Sequence, residues 1–169
     1  MLCGRLIWVK GARSAGRSVS NRMYRHILIP SDGSELAEKA VDAGIEFARS
    51  VQARVTGFTA VPEYKAPSHG ELMSGNAVSL AEYDRRAKLR AESVLQQIMR
   101  RAGALGVECD TDYALNDHPY EAIIRAAQAH GCDLIFMASH GRRGFSALVH
   151  GSETQGVLTH SRIPTLVYR

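Results

Sequence analysis

Cysteine is scarce in this chain: three residues in 169, Cys3, Cys109 and Cys132. They are odd in number and widely scattered, which excludes a disulfide framework or a zinc site and implies a reducing compartment. No apolar run approaches the roughly 18 to 20 residues of a membrane span, so a transmembrane reading fails on length and a soluble chain is expected. Acidic residues are missing from one region only. Residues 1–22 carry Arg5, Lys10, Arg13, Arg17 and Arg22 with no acid, leaving 16 bases against all 17 acids in residues 23–169. The formal net charge of +4 therefore belongs to the leader. The remainder is nearly neutral and has no basic stripe with interleaved aromatics, which argues against a nucleic-acid partner.

The leader, MLCGRLIWVKGARSAGRSVSNR, is rich in Arg, Ser and Gly, and its apolar core from Leu6 to Val9 is too short for a secretory segment. Three readings stand: a mis-assigned start with Met23 as the true initiator, a disordered tail, or an organelle transit peptide. In all three it lies outside the fold. A chain of 169 residues with 45% apolar content suits one α/β-sized domain that buries roughly two-thirds of its unfolded surface.

From Met23 onward the apolar period switches between short β-type runs and longer helical ones. HILIP (26–30), ARVTGFTAV (53–61), VECDTDYAL (107–115), CDLIFMA (132–138) and residues 164–168 read as strands. Residues 34–50, 80–102, 119–130 and 151–160 read as helices, the third opened by Asp117 and closed by Gly131. Residues 62–79 form a Pro/Gly/Ser loop of a length usually functional or mobile. Alternating strands and helices predict a single doubly wound α/β domain, a five-stranded parallel sheet with helices on both faces. Ligands of such sheets sit beyond the carboxyl ends of the strands, where strand order reverses.

One stretch falls at such an end: MASHGRRGFSALVHGSETQGVL, residues 137–158. Gly141 and Gly144 allow close backbone approach to an anion, Gly151 and Ser152 open a helix whose amides favour negative charge, and Arg142 and Arg143 add cations. Ordinary turn chemistry explains the same residues, because Ser152 and Gln155 also match a capping box. Asp32 is equally two-sided. It could accept hydrogen bonds from a ribose, or pair with Glu35 as the N-cap of the first helix. Neither GxxxxGK[ST] nor a GxGxxG after the first strand is present. The Ser139-His140 pair shows no triad signature, and His118, His130, His150 and His160 fall at helix edges or turns, so neither a catalytic constellation nor a metal site is expected.

HILIPSDGSELAEKAV, MASHGRRGFSALVHGSETQGVL and the closing IPTLVYR, in that order and spacing over residues 23–169, resemble the universal stress protein family. The resemblance implies a flavodoxin-like sheet related to the adenine nucleotide alpha hydrolases, and a cytoplasmic homodimer paired through the C-terminal strand, 164–168. Nucleotide-binding members share the form G-x2-G-x9-G-[S/T], which is met here by Gly141 and Gly151-Ser152 with Ala138 in place of the first glycine. By that resemblance the nucleotide-binding residues are Pro30, Ser31, Asp32, Val61, Met137, Ala138, Gly141, Arg142, Arg143, Gly144, Gly151, Ser152 and Glu153. Pro30 and Asp32 would lie beside base and ribose, Val61 beside the adenine, and 141–151 around the phosphates. The ligand implied is ATP or AMP, with Mg2+ as an accompanying ion, and its role regulatory with at most slow hydrolysis. The PSDGS turn does not match the SGGxDS of related ATP pyrophosphatases, which argues against adenylation chemistry. The alternative is a nucleotide-free stress-response module acting only through protein contacts.

Overall fold

The computed structural model describes residues 23–73, 78–140 and 151–169. The chain runs β1 (His26–Pro30), α1 (Glu35–Val51), β2 (Arg54–Val61), α2 (His69–Met73), α3 (Leu80–Ala104), β3 (Cys109–Leu115), α4 (Pro119–Ala129), β4 (Leu134–Ala138), α5 (Ser152–His160) and β5 (Thr165–Tyr168). The five strands form one parallel sheet in the order β3-β2-β1-β4-β5, as the doubly wound reading requires. Strand order reverses beside β1: the chain winds through β2 to the β3 edge, then returns to place β4 on the other side.

Strand alternation sorts the core into two layers. Ile27 and Ile29 of β1, Val55 of β2, and Leu134 and Phe136 of β4 pack beneath α1 and α3. Leu28, Phe58, Ile135 and Met137 point the other way, against α4 and α5. Small residues let the helices sit close. A Cβ on Gly44 of α1 would lie 2.8 Å from Ile29 Cδ1, and one on Gly57 of β2 would lie 2.9 Å from Ile98 of α3.

Three sequence expectations are corrected. The N-cap of α1 is Ser34, whose hydroxyl accepts from the Ala37 amide, so Asp32 and Glu35 do not form the capping pair; Asp32 accepts from the Ser34 amide in the preceding turn. Asp117 does not cap α4. That helix begins with Pro119 after His118 and has no cap from its own preceding side chain. Residues 62–79 are not all loop, because a single helical turn, α2, interrupts them.

The opposite end of the sheet buries a titratable group. His26 is only 4% exposed; its Nε2 lies 2.8 Å from Thr56 Oγ1 and its Nδ1 has no hydrogen-bond partner among the described residues. Burial, reinforced by the Arg54 guanidinium, holds its pKa below the ordinary value against smaller opposing contributions from the His130 backbone and Asp133. The unfolded chain therefore protonates first, so this contribution to stability is complete above about pH 6.5 and is lost as the pH falls below it. Chemical denaturation at pH 7.5 and 5.5 checks this: His26→Gln, which keeps a partner for Thr56, should show a shallower pH dependence than the wild type. Equal dependences would refute it.

Candidate functional site

A cavity of about 430 Å³ opens where the strand order reverses, at the carboxyl ends of the strands. Its floor comes from Pro30, Ser31 and Asp32 after β1, Ala60 and Pro62 around the end of β2, and Met137 and Ala138 of β4. Local hydrogen bonds shape the β1 turn. Ser31 N donates to Phe58 O at 2.9 Å, continuing the β1–β2 ladder, and Ser31 Oγ accepts from the Gly33 amide at 3.1 Å. Gly33 has φ +71°, a conformation that favours glycine.

The α5 side of the cavity is held by two bonds to the end of β4. Gly151 N donates to Ser139 O at 2.9 Å, and the buried Thr154 hydroxyl donates to Ala138 O at 3.0 Å. Glycine is favoured at 151 by proximity: an added Cβ would lie 3.2 Å from His140 Cα and 3.5 Å from Ser139 O. The N-cap of α5 is Gly151, which has no side chain to serve as a cap, and the Gln155 amide donates to Gly151 O, so the expected Ser152–Gln155 capping box is not formed. Ser152 Oγ donates instead to Glu153 Oε1. Side chains serve the other principal helix starts that face this end: Ser34 for α1, Ser79 for α3, and Glu153, which accepts from the Tyr120 amide of α4 at 2.8 Å.

Of the residues singled out in the sequence, Pro30, Ser31, Asp32, Met137, Ala138, Gly151, Ser152 and Glu153 converge on this cavity. Val61 does not line it. Its side chain belongs to the opposite layer, buried against Ala87, Ala91 and Tyr83, and its carbonyl accepts from the Asn116 amide. Gly141, Arg142, Arg143 and Gly144 lie outside the described residues. Glu153 spends one carboxylate oxygen on α4, a structural duty that spacing could not reveal.

Sequence reasoning passed over Lys65, Arg90, Asn116, Asp117, His140 and Thr154 as lining residues. Lys65 lies in the loop that length had flagged, but nothing in its composition distinguished one lysine. Asp117 Oδ1 accepts from the Glu63 amide at 3.1 Å, and its Oδ2 lies 3.2 Å from Lys65 Nζ. Lys65 above all, and the Glu63 amide, hold the Asp117 carboxyl below its ordinary pKa. Among the described residues no group of three or more His, Cys, Asp or Glu could hold a metal ion. Ser139 Oγ and His140 Nδ1 lie 3.1 Å apart. The arrangement suits non-covalent capture of a ligand with an anionic end: a helix start with glycine at its N-cap, and cations at Lys65 and Arg90. No helix among the described residues is long and apolar enough to cross a membrane.

Comparison with known proteins bears on the whole region. The profile of the Universal stress protein family matches residues 23–169. A universal stress protein of Thermus aquaticus is 31% identical over 150 residues, covering 87% of this chain and 100% of that one. The solved structure of UspA from Lactobacillus plantarum superposes with a TM-score of 0.68 at 22% identity, over 86% of this chain and 98% of that chain. A universal stress protein solved in complex with cAMP gives a TM-score of 0.62 at 21% identity (86% and 97% covered). The Archaeoglobus fulgidus protein in complex with dAMP gives 0.61 at 16% (86% and 98% covered).

Proposed function

The chain belongs to the universal stress protein family, and on that premise we propose that it binds an adenine nucleotide, ATP or AMP, as the regulatory ligand of a cytoplasmic, homodimeric stress-response protein. The observation that carries the reading is the start of α5, whose N-cap is Gly151 and which opens on the cavity while two bonds hold it against the end of β4. Free amides and the helix dipole at such a start favour a phosphate. Gly141, Arg142, Arg143 and Gly144 belong to the segment that joins the two sides of this opening and would enclose the phosphates. Asp32 and Pro30 line the cavity and would meet the ribose and base. Ala138 is compatible with the reading because its methyl packs in the core beneath α1. The adenylates bound by two structural neighbours support the choice of base.

Dimerisation is assigned to β5, an edge strand paired on one side only, where Leu166 is 36% exposed. Calorimetric titration with ATP and AMP, with and without Mg2+, tests the central claim. Saturable heat is expected, with thermal stabilisation of about 2.7 kcal/mol at a hundredfold excess over Kd. Neither heat nor stabilisation at millimolar nucleotide would leave only a module acting through protein contacts. GTP serves as the control for the base.

A further inference from the structure

The β2–α3 connection leaves the sheet at Pro62 and runs along the cavity rim, where side-chain ties among the described residues hold it. Tyr83 Oη donates to Pro62 O at 2.6 Å, and Tyr64 Oη donates to Val78 O at 3.1 Å. Those hydroxyls secure its two outer points. Its inner edge, at Glu63 and Lys65, is held by one side chain from a different connection: Asp117, at the β3–α4 turn. Each carboxylate oxygen has a separate task, Oδ1 taking the Glu63 amide and Oδ2 the Lys65 ammonium. Lys65, Pro62 and Asp117 all line the cavity. We propose that Asp117 is a positioning residue for the nucleotide, anchoring the 62–67 strap and presenting Lys65 to the ligand.

This inference rests on the adenine-nucleotide reading of the same cavity. The pair is open to water, with Lys65 78% and Asp117 34% exposed, so its contribution to global stability is small. Its effect is on order. A strap already fixed in the ligand-free protein loses less conformational freedom when ligand arrives, and affinity rises by the difference. Simple electrostatics predicts the opposite sign for its removal: neutralising an anion on the wall, and releasing a lysine beside it, should tighten binding of a polyanion. Direction alone therefore separates an anchor from a bystander carboxylate.

The test is calorimetric titration of the full chain with ATP for wild type, Asp117→Asn, Asp117→Ala, Lys65→Met and the Asp117→Asn/Lys65→Met double variant, with amide exchange at Glu63 and Lys65 measured in ligand-free protein. Expected are a Kd for ATP roughly fivefold higher in Asp117→Asn, a larger loss in Asp117→Ala, and a double variant no worse than its singles. The Glu63 amide should exchange faster in Asp117→Ala at an unchanged melting temperature. Equal or tighter ATP binding by Asp117→Asn, or unaltered exchange at Glu63, overturns the anchor while leaving the nucleotide reading standing. A wild type that takes no ATP removes both.

Discussion

Replacing Gly156 by alanine is expected to lower the melting temperature, although helix propensity alone predicts a rise. Glycine inside a helix costs about 0.5–1 kcal/mol relative to alanine. Gly156 nevertheless sits in the middle of α5, against the first turn of α4. A Cβ there would lie 2.6 Å from Tyr120 Cγ and 2.9 Å from Tyr120 Cβ, and the latter is fixed to the backbone, so no rotamer change carries it away. Tyr120 cannot retreat freely. Its amide is bound by Glu153 and its ring packs beside His160, with centroids 5.6 Å apart. Overpacking of this kind costs about 1–3 kcal/mol, which exceeds the propensity gain. The net loss should appear in calorimetry as a melting point a few degrees lower, at about 2–4 °C per kcal/mol for a domain of this size. In a double-mutant cycle, Tyr120→Ala, which removes the ring but keeps Cβ, should cancel part of the penalty. A more stable Gly156→Ala protein would mean that the α4–α5 contact is looser than the structure describes.

The second large effect is expected at Gly151, and it falls on binding more than on folding. With φ −54° and ψ 146° this residue is not confined to glycine by its backbone angles; the reason for glycine is the neighbouring chain. A valine would force its branched side chain against His140 Cα and Ser139 O, break the bond between Gly151 N and Ser139 O, and swing the start of α5 off the cavity. Loss of one or two charge-assisted bonds to phosphate, about 1.5–3 kcal/mol each, raises the Kd for ATP by roughly tenfold at the least and by more than about a hundredfold if both are lost. Gly151→Ala, with a single methyl at the 3.2 Å contact, should give an intermediate Kd and a circular dichroism spectrum like that of the wild type. Wild-type affinity in both variants would place the phosphates away from α5.

The fold could be read from the sequence because its signals are local. The runs HILIP and LIFMA are buried on both faces, and α1 repeats small apolar residues on one side, so period alone identified strand, helix and parallel sheet. The errors came where one residue type serves two purposes. Asp32, Ser34 and Asp117 are all competent caps, and only the geometry shows that Ser34 caps α1 while Asp117 holds another loop. The side chain of Val61 turns away from the cavity by strand parity: Val55, Gly57 and Val61 face α3, so Ala60 is the residue whose side chain turns toward the α4 side. Lys65, Asn116 and Asp117 gave no signal because they meet only through the β2–β3 pairing, more than 50 positions apart.

The bond between Ser139 O and Gly151 N also bears on how such a protein diversifies. It holds Ser139 and Gly151 together at one point, so the number of residues joining them is not dictated by the spacing of β4 and α5. Closure of such a loop becomes less favourable by only about 0.6 kcal/mol for each doubling of its length. Insertions, deletions and wholesale exchange between residues 140 and 151 are thus weakly coupled to the sheet. Ligand choice can drift while the scaffold stays under separate selection.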